Sequence, residues 1–315
     1  MKSVIIDCDV GTDDAGAILL AYKSGVLDVK AITGVTGNVT AELASQNARR
    51  VLDLIGAPDV PVARGAPKPL MAPHPRDPFS HGDDGLANNW FPASKRPELD
   101  TSASELIVET VRANPGITLL ALGPMTNIAT ALLAAPDIKG KIAEVICTAG
   151  SFGFNEYSQR LGTGDNPLSE WNVFVDPEAA ELVFSSGLKV TAIGVDVWGR
   201  PEAIHRKKDL DRLRASPRPE AQFVLSVHEF VHGRGYTQFT VLIDSLVVAT
   251  AIDPTFLRCH DVGIGVDVSQ NRLTRGMTIV ERRQYHAWSH LPRINAAYDA
   301  DFERFLDYHT DMMTK

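Results

Sequence analysis

Short apolar, β-branched runs alternate with helix-like stretches along most of this chain, and that alternation limits the fold more than any other feature. Ser3 to Asp7 reads as a buried strand, Asp14 to Lys23 as a helix with an apolar face, Val29 to Val35 as a second strand and Ala41 to Ile55 as the next helix. The theme resumes with Glu105 to Arg112 (helix), Ile117 to Leu122 (strand), Asn127 to Ala134 (helix), Val145 to Ala149 (strand), Pro177 to Phe184 (helix) and Lys189 to Val197 (strand). Strands joined through helices pair in parallel, so the expected fold class is α/β, a doubly wound, mainly parallel sheet flanked by helices. Asp261 to Tyr285 alternates as small antiparallel additions near the C-terminus would, and Ile294 to Asp311 reads as a closing helix. Ala66 to Asp100 and Gly150 to Ser169 are long polar loops, of the kind that carry function. The alternation never breaks at a linker, so residues 1–315 are expected to form a single domain.

Composition narrows the partners. A formal charge of −8 argues against a nucleic-acid backbone, which requires clustered Lys and Arg, and suits a small neutral ligand or a cation. No stretch approaches the run of about 20 apolar residues that spans a bilayer, so no membrane partner is expected. The apolar run Val4 to Ile6 stops at Asp7, too short for a secretory signal, and a cytoplasmic location is expected. Cys8, Cys147 and Cys259 are scattered and are expected to stay reduced.

The strongest local signal is Asp7-Cys8-Asp9-Val10-Gly11-Thr12-Asp13-Asp14, which sets four carboxylates at the C-terminal end of the first strand, the edge where open parallel sheets bind ligands. One acid there would cap the next helix. Four converging acids repel one another unless a cation neutralises them, and hard oxygen donors suit calcium or magnesium rather than zinc. An apolar strand ending in Asp-x-Asp-x-Gly-Thr also resembles haloacid-dehalogenase-type phosphatases, in which the first Asp is the nucleophile.

Further segments decide between these. Gly37-Asn38-Val39-Thr40, Gly123-Pro124-Met125-Thr126-Asn127, Glu170-Trp171-Asn172, Asp176-Pro177-Glu178-Ala179-Ala180, Asp244 before Leu246-Val247-Val248-Ala249, and His81-Gly82-Asp83-Asp84-Gly85-Leu86 follow the acid cluster in an order and spacing that resemble the nucleoside hydrolase family. The resemblance runs from Val4 to about Arg283. It implies the nucleoside hydrolase fold, hydrolysis of ribonucleosides to ribose and free base, a calcium ion and a homodimer or homotetramer. It also implies that Asp9, Asp14 and Asp244 bind calcium by their carboxylates and Thr126 by its carbonyl, that Asp7 buttresses them, and that Asp9 is the catalytic base. Asp13, Asn38, Glu170 and Asn172 would hold the ribose, with Asn166 the nearest Asn to a further ribose ligand of the family.

The chain departs from the family on the side of the leaving base. Ile243 stands where many members have a His that protonates the base; Thr148-Ala149-Gly150 replaces a Met-Gly-Gly segment; and Val10 replaces a proline. Candidates for the missing donor are His81, His228, His232, Arg234 and Tyr236, and Phe230, Tyr236, Phe239 and Trp90 are candidates to stack on a base. His81 and Tyr236 are the two expected at the substrate. With its acid absent, the site also suits a ribose- or nucleoside-binding relative of weak activity.

Overall fold

The computed structural model describes residues 1–75, 80–235, 242–283 and 286–315, the side chains of residues 159 and 286 excepted. The chain runs β1 (Lys2–Cys8), α1 (Thr12–Lys23), β2 (Leu27–Gly34), α2 (Ala41–Leu54), β3 (Val62–Arg64), α3 (Ala103–Ala113), β4 (Ile117–Ala121), α4 (Thr126–Ala134), β5 (Ile142–Thr148), α5 (Tyr157–Arg160), α6 (Trp171–Val175), α7 (Pro177–Phe184), β6 (Val190–Ile193), α8 (Val195–Trp198), α9 (Lys207–Ala215), α10 (Pro219–Gly233), α11 (Ser245–Ile252), β7 (Leu257–Val266), β8 (Thr278–Glu281), β9 (Arg293–Ala300) and α12 (Phe302–Thr314). One sheet has the order β3-β2-β1-β4-β5-β6-β9-β7-β8. From β3 to β9 every pairing is parallel, and β7 runs antiparallel to both β9 and β8. This is the expected doubly wound α/β sheet with antiparallel additions.

Side-chain alternation in β1 divides the core. Val4, Ile6 and Cys8 face a cluster built with α1, α2, α10, α11 and α12, while Ile5 faces the cluster built with α3, α4 and α7. Helix α1 is buried from Thr12 to Ala21, which explains why its apolar residues do not keep to one face. No helix among the described residues is long and apolar enough to cross a membrane.

Three expectations change. The stretch Ile294 to Asp311 is not one helix: its first part is β9, which inserts between β6 and β7. Ile294 and Ala296 pack into one core cluster and Ala297 and Ala300 into the other, so burial on both faces removes the polar alternation that marks a half-exposed strand. The helix begins only after Asp301, whose carboxylate accepts the Arg304 N–H at 3.2 Å. The strand expected to reach Val197 stops at Ile193, and Gly194 opens α8. The short strand β3 had no counterpart in the sequence reading.

Where α12 packs against α9 and α10, His205 Nε2 lies 3.4 Å from His309 Nδ1, and both rings are buried. Burial pushes the His309 pKa down to about 3 and that of His205 well below its ordinary value. The unfolded chain therefore takes up protons that the folded chain refuses, and stability is lost as pH falls from about 6.5 toward 3. His309→Leu should gain on the wild type as pH falls from 7.5 to 5, by at most roughly 1.4 kcal/mol per pH unit below 6.5. Urea midpoints at both pH values check this, and an equal difference between the two proteins at pH 7.5 and pH 5 would count against it.

Candidate active site

From β1 the sheet grows toward β2 on one side and β4 on the other, which opens a crevice at the C-terminal ends of those strands. The turn after β1 carries Asp9, the first turn of α1 carries Asp13 and Asp14, the turn after β2 carries Asn38, β5 ends on Thr148, and Asp244 stands at the start of α11. These elements meet around a pocket of about 240 Å³.

Each acid is held differently. Asp7 lies opposite Thr33 in the β1–β2 register, and its Oδ1 accepts the Thr33 hydroxyl at 2.6 Å and Asn127 Nδ2 at 2.8 Å, while Oδ2 is buried with no hydrogen-bond partner. Asp9 Oδ2 accepts the Asn38 N–H at 2.5 Å, and its Oδ1 is likewise buried without a partner. The Asp9 carboxylate passes against two turn glycines: a Cβ on Gly123 would sit 2.7 Å from Oδ1, and one on Gly37 would overlap Oδ2. Gly37-Asn38 and Gly123-Pro124 are therefore clearances for Asp9 as well as turns. Asp14 does cap α1, accepting the Gly11 N–H at 2.9 Å and the Asp9 N–H at 3.2 Å. Asp244 accepts the Thr148 hydroxyl at 2.6 Å.

Burial is the main cause raising the pKa of all four buried acids. Asp7 reaches about 7 and Asp14, with the Asp13 charge adding to burial, about 6, while Asp9 and Asp244 are raised well above the ordinary value by burial and by the charges of Asp13 and Asp14. Carboxylate oxygens of Asp13, Asp14 and Asp244 lie within 4.8 Å of one another. That oxygen-only set, beside the partnerless oxygens of Asp7 and Asp9, fits a hard divalent cation.

Asp13, Asn38, Glu170, Asn172, Asp244 and His81 all line the pocket. Glu170 caps α6, its two oxygens accepting the N–H groups of Asn172, Val173 and Gly150 at 2.9–3.1 Å, and burial raises its pKa to about 7. Asn172 Nδ2 bridges the carbonyls of Leu122 (2.7 Å) and Thr148 (2.9 Å). His81 Nδ1 lies 3.1 Å from the Thr12 backbone nitrogen and 3.7 Å from Asp13 Oδ1.

Other expectations are not met. Thr126 opens α4; its carbonyl accepts the Thr130 hydroxyl at 2.7 Å, its own hydroxyl goes to Asp176, and it is not among the residues lining the pocket, whereas Leu122 is. Asn166 is outside the pocket lining because both ends of its amide are used within loops, by the Leu168 N–H and the Arg275 carbonyl. His228 and His232 lie with ring centroids 4.0 Å apart and planes tilted by 39°, and neither is among the residues lining the pocket, whereas Val231 is. Burial pushes the His228 pKa down to about 4. Arg234 packs over Phe230 beside a neighbouring cavity, and Trp90 is exposed to solvent. Tyr236 and Phe239 lie outside the described residues. The phosphatase reading needs Asp7 as its nucleophile, and that carboxylate is buried with Oδ1 taken up by Thr33 and Asn127.

Sequence reasoning missed Trp171, Trp198, Thr148 and Leu122, all of which line the pocket. Trp198 and Leu122 stand just beyond the C-terminal ends of β6 and β4, so the rim rule that singled out the acids applied to them too.

The family model described as inosine-uridine preferring nucleoside hydrolase matches residues 4–307. A pyrimidine-specific ribonucleoside hydrolase, RihA, of Citrobacter koseri is 36% identical over 310 residues, covering 96% of this chain and 95% of that protein. Among solved structures, the plant nucleoside hydrolase PpNRh1 superposes with a TM-score of 0.88 at 30% identity, covering 99% of each chain. A purine-preferring ribonucleoside hydrolase from Gardnerella vaginalis gives 0.85 at 30% identity, covering 99% of this chain and 98% of its own.

Acids whose folded pKa is raised favour folding at low pH, and that contribution is lost as pH rises through the folded value. In cation-free protein the buried acids should therefore cost stability between about pH 4 and pH 8, and added calcium should raise the Tm more at pH 8 than at pH 5. Thermal melts with and without calcium check this; an increment that shrinks with rising pH contradicts the account of the acid cluster.

Proposed function

This chain belongs to the inosine-uridine preferring nucleoside hydrolase family, and on that premise we propose that it hydrolyses the N-glycosidic bond of ribonucleosides with calcium at the acid cluster and Asp9 as the base. The observation that carries the reading is Asp9 itself, with one oxygen pinned by the Asn38 N–H and the other buried against the cluster without a donor.

The carboxylates of Asp9, Asp14 and Asp244 would hold the ion, with Asp13 beside them and the Leu122 carbonyl as backbone oxygen in place of Thr126. Bound there, calcium would acidify a neighbouring water and offer ligand positions to ribose hydroxyls. Asp9 accepts the proton of the attacking water, whose oxygen bonds to the anomeric carbon as the bond to the base breaks and its electron pair leaves with the base. Positive charge grows on the sugar in that step, so Asp13 and Glu170, with the amide oxygens of Asn38 and Asn172, stabilise it while orienting the ring. Asp7 stays beneath as a buttress, tied to Thr33 and Asn127.

On the far side of the sugar, Trp171, Trp198, Val231 and Ile243 form an apolar wall. Among the described residues that line the pocket, His81 is the only side chain that can carry a positive charge. Neither wall nor family name selects the base, since the relatives include a pyrimidine-specific and a purine-preferring enzyme. A binding protein of weak turnover draws on the same apolar Ile243.

Turnover is the test. Wild-type protein should release ribose from uridine or inosine, lose this activity on chelation, and lose at least about a hundredfold in Asp9→Asn. Near-normal turnover in that variant would move the base to another residue, and chelated, verified metal-free protein at full rate would remove calcium from the mechanism. Because Ile243, just before α11, supplies no proton and leaves His81 as the pocket side chain able to assist, p-nitrophenyl riboside, whose leaving group needs no proton, should be cleaved faster than either nucleoside. Equal rates on all three would refute this account of Ile243.

A further inference from the structure

The segment from His81 to Trp90 bends through five residues of left-handed backbone: Gly82 (φ 83°), Gly85 (75°), Ala87 (57°), Asn88 (56°) and Trp90 (49°). Glycine adopts this conformation freely, and Asn tolerates it. Ala87 and Trp90 do not, so something must hold them there.

The holding group is the buried carboxylate of Asp84. Its Oδ1 accepts the N–H of Leu86 at 2.7 Å and of Asn88 at 2.9 Å, and its Oδ2 accepts the N–H of Trp90 at 2.7 Å. The Ala87 N–H closes the turn on the His81 carbonyl at 2.8 Å. Asn47 on α2 then fastens the turn to the acid-bearing loop, donating from Nδ2 to the carbonyls of Asp84 (2.9 Å) and Val10 (3.2 Å). The product of this construction is the placement of His81. Its Nδ1 accepts the Thr12 N–H, and since a backbone N–H only donates, the ring proton sits on Nε2. Gly11 leaves room for the ring, because a Cβ there would lie 2.5 Å from Nδ1.

We propose that Asp84 is a positioning residue: its carboxylate holds the left-handed turn that sets His81 in the pocket as the Nε2–H tautomer. That His81 serves the departing base rests on the function proposed above; that Asp84 places it does not. Asp84→Asn keeps the volume of the side chain but turns one acceptor into a donor facing a backbone N–H. The turn should then relax, and the ring should leave Thr12.

The test compares wild type, Asp84→Asn, His81→Gln, the double variant, and Asp84→Asn with Ala87→Gly. Imidazole nitrogen NMR, with the His81 signals assigned by their loss in His81→Gln, should show the Nε2–H tautomer in the wild type and a shift toward averaged, free imidazole in Asp84→Asn. On uridine, kcat/KM should fall at least about tenfold in each single variant, and the double should be no more than about threefold below the worse single, since both act through one ring. p-Nitrophenyl riboside should stay within about threefold of the wild type, which separates misplacement of His81 from damage to the acid cluster. Ala87→Gly, by removing a Cβ from the left-handed position, should restore part of the uridine activity to Asp84→Asn, and it is read in its place should the single variant not fold. An unmoved His81 signal in Asp84→Asn, losses that multiply in the double variant, or an equal fall on the nitrophenyl compound would overturn the proposal. If the wild type cleaves no nucleoside, the proposed function fails, while the imidazole signal still decides the role of Asp84.

Discussion

Burying several carboxylates at the end of one strand is the constraint on which the rest of this structure depends. Asp7, Asp9, Asp14 and Asp244 are each at most 2% exposed, and an ionised carboxylate removed from water without compensation is among the costliest groups a fold can contain. Part of the compensation is local: backbone N–H groups of Asp9, Gly11 and Asn38, hydroxyls of Thr33 and Thr148, and the amide of Asn127. Those donors come from β1, β2, β5, α1 and α4, so the sheet must be assembled before the acids are satisfied. The oxygens still without a donor, Asp7 Oδ2 and Asp9 Oδ1, mark where positive charge is called for.

That dependence explains which parts of the site were legible in the sequence. Asp9, Asp13, Asp14, Asn38 and Asp244 stand where acids and amides adjoin apolar strands and helices, where polar groups advertise themselves, while Glu170, Asn172 and His81 were found through motifs in or beside the long loops. Thr126 misled because a backbone carbonyl carries no side-chain signature: the residue type says nothing about where its oxygen points, and here the helix uses it. Asn166 misled because Asn at a loop is as readily a turn-former as a ligand: its amide oxygen accepts the Leu168 N–H two residues on, and its nitrogen ties the loop to the distant Arg275 carbonyl. Trp171 and Trp198 were passed over because an aromatic in an apolar context gives no sign of whether it faces the core or a cavity. In the fold, β9 was lost for a related reason: burial on both faces erases the periodicity by which a strand is read, and its alanines favour a helix in isolation.

The two sides of the pocket have different physical origins. The side that the proposed function gives to the sugar is built from residues at the ends of paired strands and at helix starts fixed by their own caps, as Glu170 is on α6 and Asp14 is on α1. Groups so fixed lose little freedom on binding and keep the spacing that a transition state of defined geometry requires. The base side comes from Trp171, Trp198, Val231 and Ile243, borne by four different helices or their approaches, where apolar side chains exchange volume without breaking a hydrogen-bond network. Changes there alter shape and leaving-group assistance without disturbing the acids.

Ile243 shows how this division works within a single dipeptide. Asp244 is locked to Thr148 and cannot change without leaving the buried acid cluster short of a ligand, whereas its neighbour Ile243 has only apolar contacts to satisfy. An imidazole at that position would need a hydrogen-bond partner in a wall that Trp198 and Val231 make apolar, and burial would disfavour its charged form, as it does for His205 and His309 elsewhere in the fold. An isoleucine removes that cost and with it the proton. His81 stands instead among polar groups, with the Thr12 N–H on Nδ1 and the Asp13 carboxylate nearby. The ring of His81 has hydrogen-bonding neighbours that the surroundings of Ile243 lack, so on the proposed function the long loop, rather than the approach to α11, is where a donor to the leaving base would stand.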